Sequence, residues 1–230
     1  GQPFELRSFA YSPAPIGEDP RTGTSTRYTD VRLMQRDGPL MTSVGANAIR
    51  IFDAMSIKTD GTGEVHTNLA FIREAALQGL WIVMGTGFPC DLNFGNATVR
   101  ANVVQAHIDF AAQFGAEPNV LMWAPGNEMN HAIAETDRAD WYSLLEAIAS
   151  GVKTAQGPGG PLLCGINGDV NNDEATCSGP GTSSSSGGAT TGMTDAPSVD
   201  VWAGNIFRGV SFGTLREEIQ SASPKPYWIA

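Results

Sequence analysis

Pro118-Asn-Val-Leu-Met-Trp-Ala-Pro-Gly-Asn-Glu-Met129 is the stretch on which the reading of this chain turns. An apolar run, Val120–Ala124, passes straight into Pro-Gly-Asn-Glu. An unbroken apolar strand is one buried on both faces, as in a parallel sheet covered by helices. Glu128 therefore emerges at the end of a buried strand, beside the polar Asn127. A carboxylic acid held partly out of water keeps its proton to higher pH and can protonate a leaving group. The bland alternative is a surface loop that contains Asn-Glu by chance. The position directly after a buried strand favours the functional reading.

Working outward, strands and helices alternate along the whole chain. Strands are expected at Leu6–Tyr11, Ala46–Phe52, Leu80–Met84, Val120–Ala124, Pro161–Ile166, Val199–Phe207 and Pro226–Ala230. Between them, Asp30–Val44 reads as a helix interrupted near Gly38-Pro39 and stopped by Gly45. Thr67 is placed to cap a helix that ends at Gly79. Over 97–114, Val99, Val103, Ala106, Phe110 and Phe114 fall on one helical stripe. Further helices are expected over 137–150 and 215–221. Ser178–Gly192 is rich in Gly, Ser and Thr with no apolar period, so a loop replaces the helix there.

This alternation fits either a doubly wound sheet or a closed barrel. No Gly-rich phosphate loop follows the first strand, which counts against the dinucleotide-binding sheet. Polar residues gather just after strand ends, at Tyr11, Asp53, Asn127-Glu128 and Asn167 to Asp173. A (β/α)8 barrel carries its active site on that face. The expected fold class is thus α/β, a (β/α)8 TIM barrel filling residues 1–230 as a single domain. Strands 1 to 7 are present and strand 8 is missing, since such a barrel needs roughly 250 residues. The expectation that follows is a catalytic domain truncated at its C-terminus.

Composition narrows the partners. The net charge is −10 and the pI about 4.6, the wrong sign for nucleic acid or an anionic membrane surface. No apolar run reaches the roughly 20 residues of a membrane span. Gly1-Gln2-Pro3 lacks the basic start and apolar core of a signal peptide. Cys90, Cys164 and Cys177 match no zinc or CxxC spacing, and both a Cys164–Cys177 disulfide and free thiols stay open. Asn96-Ala97-Thr98 is a glycosylation sequon, meaningful in a secreted eukaryotic protein.

Arg50 is the second chemical signal. It interrupts the apolar run Ile49-Arg-Ile-Phe52, and a buried arginine is costly without a carboxylate partner. An inward-pointing Arg50 would hold an anionic group at the barrel top, and a strand-end Arg50 would reach solvent.

Four segments together carry a family resemblance. They are Phe9-Ala-Tyr-Ser-Pro13, Arg36-Asp-Gly-Pro-Leu-Met41 running on to Gly45-Ala-Asn-Ala-Ile-Arg-Ile-Phe52, Asn119 to Glu128, and Asp200-Val-Trp-Ala-Gly-Asn-Ile-Phe207. In order and spacing they resemble the clan A retaining glycoside hydrolases. Within that clan the chain looks most similar to family 72 β-1,3-glucanosyltransferases and to relatives in families 2, 5 and 17.

The resemblance implies a retaining hydrolase or transglycosylase acting on a β-linked polysaccharide of β-glucan or mannan type, at the cell surface or secreted. It implies no metal and no cofactor. Glu128 would be the acid/base and Arg50 would orient the nucleophile. Tyr11 and Asn205 would line the sugar site, where Asn127 can hydrogen-bond a sugar hydroxyl. Asp53, which could equally cap the following turn, and Asn167 join them as strand-end polar residues. Lys225-Pro-Tyr-Trp-Ile-Ala230 resembles the strand that runs into the nucleophilic Glu, expected at or near the residue after Ala230. One departure stands out: Phe207 occupies the place of a customary Tyr, so its hydrogen bond to the nucleophile is lost or supplied elsewhere. A non-catalytic carbohydrate-binding barrel is the rival reading.

Three weaker signals complete the chain. Asn167 to Glu174 resembles a calcium loop but lacks its glycine and its final acid. His66, His107 and His131 do not cluster; His107 reads as structural, and His131 as either a cleft-rim residue or a solvated one. No Gly-x-Ser-x-Gly elbow supports a serine hydrolase.

Overall fold

A computed structural model describes residues 4–15, 17, 27–89, 91–169, 188–208 and 211–230. Eight strands are present among them: β1 Ser8–Ala10, β2 Ala48–Ile57, β3 Gly63–Val65, β4 Trp81–Gly87, β5 Val120–Pro125, β6 Leu162–Gly168, β7 Val201–Asn205 and β8 Tyr227–Ile229. The helices are α1 Val31–Ser43, α2 Leu69–Leu77, α3 Ala97–Phe114, the single turn α4 Met129–Ala132, α5 Arg138–Gln156 and α6 Leu215–Ala222. Seven strands run parallel in the order β1-β2-β4-β5-β6-β7-β8 and curl into a half-barrel. The three-residue β3 folds back antiparallel on the far end of β2. The expected barrel-type α/β fold, with strands one to seven in sequence order, is what these residues form.

Two apolar layers hold it together. Inside the curve, Val83, Met122, Ala124, Cys164, Ile166, Val201 and Ala203 pack together, with Leu6 and Trp228 against them. Outside, the alternate strand residues Ile49, Ile51, Ile82, Trp123, Leu163 and Trp202 meet the helices. This alternation of faces decides which polar residue can enter the barrel mouth.

The helix starts follow side-chain capping. Asn96 Oδ1 accepts from the backbone N–H groups of Thr98 and Val99 at 2.9 and 3.1 Å, so α3 begins where its apolar stripe begins. At α2 the cap is Asn68, whose Oδ1 accepts from Phe71 N at 2.8 Å. Thr67, the expected cap, instead donates its hydroxyl to Tyr28 O. α1 runs unbroken through Pro39, against the expected interruption. Gly38 lies so close to the C-cap of α2 that a Cβ there would meet Gln78 Cγ at 2.6 Å. α5 extends six residues past its expected end and stops at Gly157, whose φ of 71° suits glycine.

Between β6 and β7 the described residues contain turns and no helix. Ala189 and Met193 are buried, and Gly192 lies flat on the Tyr142 ring, where a Cβ would come within 2.3 Å. Cys90, Cys177 and the positions from Asn171 to Glu174 lie outside the described residues. Cys164 is free and buried, its Sγ accepting from Trp228 Nε1 at 3.4 Å. Burial pushes its thiol up to about 11.

His107 is a core residue of α3. Its Nδ1 donates to Val103 O at 2.8 Å, its ring stacks on Phe88, and its Nε2 has no partner among the described residues. Burial drives its pKa from an ordinary 6.5 to about 4. Between those values the unfolded chain binds a proton that the folded chain refuses, so stability falls as pH drops from 6.5 toward 4. The loss through this one residue is about 3 kcal/mol. In denaturant titrations at pH 7, 5 and 4, His107→Gln should lose visibly less stability on acidification than the parent. Parallel losses would remove His107 as the cause.

Candidate active site

The chain turns sharply where β5 ends. Gly126 has a φ of 74°, and a Cβ there would strike Met129 and Trp141 within 2.8 Å. Two residues later Glu128 has a φ of 51°, the one positive value for a non-glycine among the described residues. Such backbone strain persists only where surrounding contacts hold it, and it gathers at functional sites. Three backbone bonds fix this residue. Glu128 N donates to Ile166 O on β6 at 3.1 Å, and Glu128 O accepts from His131 N and Ala132 N at 2.8 and 2.9 Å.

So oriented, the Glu128 side chain crosses β6 to β7. Its path lies over Gly168, where a Cβ would sit 3.2 Å from both Cγ and Cδ of Glu128. Asn205, in register with Gly168, donates from Nδ2 to Glu128 Oε1. The same amide nitrogen reaches Asn127 Oδ1 at 3.0 Å. Arg50, brought from β2 on the inner face, donates from Nη1 to Asn205 Oδ1 at 3.1 Å and from Nη2 to Asn127 Oδ1. Arg50, Asn127, Glu128 and Asn205 thus form one connected network at the C-terminal end of the parallel strands. The two amides have their carbonyl oxygens turned to the guanidinium, which leaves the Asn205 amide N–H to meet the carboxylate.

Arg50 is 2% exposed, and none of its hydrogen bonds goes to a carboxylate among the described residues. Its Nε lacks a partner there too. Burial lowers its pKa to about 10, with Cys164 and Glu128 opposing the fall. The Phe52 ring lies 4.3 Å from the guanidinium and contributes a cation–π contact. A buried cation whose hydrogen bonds go to amides is under-compensated, and the nearby Glu128 charge offsets only part of its desolvation.

The other expected site residues are placed differently. Asn167 does not join the network. It lies on the outer side of β6, 1% exposed, with Oδ1 accepting from Tyr142 and Nδ2 donating to Ala189 O and Thr191 O. Its amide pins the 188–193 turns to α5 and has nothing left for a sugar. Tyr11 also points outward: Ala10 pairs with the inward Arg50, so the next residue faces the helices. Its hydroxyl donates to Asp37 at 2.9 Å, and burial with that carboxylate raises its pKa strongly. Asp53 does not end its strand, which continues through a bulge to Ile57. The bulge turns the Asp53 carboxylate against Gly87, where a Cβ would come within 2.5 Å. No hydrogen bond joins it to the Glu128 network among the described residues. Phe207 stands 64% exposed just past β7.

Two features escaped the sequence reading. Arg208 makes paired bonds to Asp169, at 2.7 and 3.1 Å, and reaches Glu218 at 2.6 Å. This triad ties the end of β6 to α6 and holds Glu218 down to about 2 through the hydrogen bond from Arg208. Asn130 is the other: Nδ2 donates to Gly168 O at 2.9 Å and Oδ1 accepts from Gly168 N at 2.8 Å. It clamps the backbone beneath Glu128. Neither was legible, because the partners lie 39 and 38 residues apart in sequence.

A half-barrel of parallel strands with its polar network at their C-terminal ends defines the class of fold, and solved structures share it. The chain matches a calcium-binding mutant of Bacteroides uniformis β-glucuronidase 2 at TM-score 0.61 and 17% identity, over 99% of this chain and 25% of that one. It matches the Bacillus cereus spore cortex-lytic enzyme SleL at TM-score 0.60 and 13% identity, over 97% and 50%. A family 2 β-galacturonidase from Eisenbergiella tayi, bound to galacturonate, follows at 0.54 and 15%, over 87% and 32%. The chain thus spans a quarter to a half of these proteins. No protein-family model and no curated protein matches it. At these identities the likeness shows the fold shared with these glycoside hydrolases and nothing finer.

Proposed function

We propose that this chain is the barrel of a retaining glycoside hydrolase or transglycosylase in which Glu128 is the general acid and base. The observation that carries the reading is the Glu128 carboxyl, held at the end of β5 by Asn205 and backed by Arg50 and Asn127. Strong likeness in fold to a β-glucuronidase and a cortex-lytic enzyme supports carbohydrate as the substrate class. The finer expectation remains a β-linked polysaccharide of β-glucan or mannan type, met at the cell surface or outside it.

The chemistry needs a second carboxylate about 5–5.5 Å from the first. β8 lies beside β7, with Ala230 N donating to Gly204 O at 2.9 Å. In that register Ala230 is level with Asn205 and shares the inner face with Trp228. In this reading the nucleophile is a carboxylate at the C-terminal end of the parallel strands, oriented by the Arg50 charge. In the first step Glu128 protonates the leaving oxygen as the nucleophile bonds to the anomeric carbon and the glycosidic bond breaks. In the second, the Glu128 carboxylate takes a proton from water or a sugar hydroxyl, which displaces the enzyme carboxylate. No step calls for a metal or an organic cofactor. The family 72 placement belongs to this same proposal.

The test is turnover of 4-nitrophenyl β-glycosides by the full-length chain, with the product anomer followed by NMR. Retention supports the reading, inversion overturns the double displacement, and binding without turnover would favour the non-catalytic barrel. Asn205→Ala should lower kcat roughly ten- to hundredfold, the loss of one hydrogen bond to a charged group. An unchanged kcat would remove Asn205 from the machinery.

A further inference from the structure

His131 sits on the single turn α4, three residues after Glu128, and is 6% exposed. Its Nε2 is buried and has no partner among the described residues. A buried polar atom without a partner costs stability, so its retention calls for a reason. The position of the ring supplies one. A Cβ on Gly168 would stand 2.4 Å from His131 Cδ2, the atom bonded to Nε2, and 3.2 Å from Glu128 Cδ. The Cδ2–Nε2 edge of the imidazole and the Glu128 carboxyl are therefore pressed against the same glycine. Asn130 grips that glycine by both its N–H and its C=O, so the glycine that both side chains flank is fixed.

Resting on the acid/base reading of Glu128, we propose that His131 is a positioning residue that receives the Glu128 carboxylate once it has given up its proton. At rest Glu128 Oε1 is satisfied by Asn205. On proton transfer the glycosidic C–O bond breaks, the leaving oxygen gains the proton, and Glu128 becomes a full carboxylate. A second donor then becomes valuable, and an Nε2–H on the imidazole would supply it from the side of Gly168. The proton stays on His131 throughout. Asn205 and His131 hold the carboxylate from two sides until it deprotonates the incoming hydroxyl.

The experiment is a double-mutant cycle in the full-length chain, with Glu128→Ala, His131→Leu, His131→Gln and the double variant Glu128→Ala/His131→Leu, each checked for a cooperative unfolding transition. For a substrate with a poor leaving group, His131→Leu should lower kcat at least tenfold with KM changed less than twofold. His131→Gln, which keeps a donor near that place, should recover most of the loss. With azide supplied as an external nucleophile and a 2,4-dinitrophenyl leaving group, Glu128 is bypassed. His131→Leu should then change the rate of the Glu128→Ala background less than twofold. An unchanged kcat in a folded His131→Leu overturns the proposal. So does a full loss that persists on the Glu128→Ala background, since His131 would then act independently of Glu128. If Glu128→Ala itself kept normal turnover, the acid/base assignment would fail first, and that outcome is distinct from a failure of His131 alone.

Discussion

Glu128→Gln in the full-length chain should lower kcat by about 10²–10⁴-fold on a substrate with a poor leaving group, the usual contribution of a positioned general acid. The amide keeps the shape of the carboxyl but has no proton acidic enough to give. The loss in kcat/KM, which reports the first step, should shrink for leaving groups that depart without protonation, such as 2,4-dinitrophenolate, because bond cleavage then needs no acid. Stability should hold or rise slightly. A neutral amide at a φ of 51° is at least as well tolerated as glutamate, and its oxygen can accept from Asn205 Nδ2 as the carboxylate does. Steady-state rates across a series of aryl leaving groups measure this directly. A uniform loss of kcat/KM for all of them would point to a misfolded cleft instead of a missing acid.

Arg50→Met should separate activity from stability. A buried arginine held by two amides and one aromatic face carries a desolvation cost that its partners do not fully offset. Methionine fills similar volume without charge, and exchanges of that kind are often neutral or stabilising by about 1–4 kcal/mol. Against this stands the loss of a donor to Asn205 Oδ1, roughly 1–3 kcal/mol if water does not replace it. The two effects nearly cancel, so the midpoint of denaturation should move little or rise. Activity should fall about a hundredfold or more, the scale on which removing one preorganised electrostatic group is felt. Retained stability with lost activity marks a residue kept for chemistry. A large drop in stability with proportionate loss of activity would make Arg50 structural.

The sequence was legible where one periodicity ran long enough. Helix 97–114 was read to its observed ends, because the stripe from Val99 to Phe114 allows one register. The parallel strands were legible as continuous apolar runs. β3 was not: three exposed residues, Gly63-Glu64-Val65, carry no pattern of their own and pair only because β2 overruns Asp53.

In the candidate site, strand ends were legible and strand faces were not used. Asn167 and Tyr11 both follow apolar runs, which drew them into the expected site. Counting by twos from Cys164 and Ile166 puts Gly168 on the inner face and Asn167 on the outer. The same count from Arg50 through its partner Ala10 turns Tyr11 outward. Asn205 falls on the inner face by this count, in register with Gly168, and does meet Glu128. The role of Gly168 could not have been read at all, because it depends on two side chains passing over one Cα.

The central claim is that Glu128 gives and then takes the proton, and azide rescue of Glu128→Ala in the full-length chain tests it most directly. With a 2,4-dinitrophenyl glycoside, the variant should accumulate a glycosyl-enzyme that lacks its base. Added azide, which needs no base, should then raise turnover at least tenfold and yield a glycosyl azide of retained configuration. Normal turnover without azide, or a slow variant that azide neither accelerates nor diverts to the glycosyl azide, would contradict the claim.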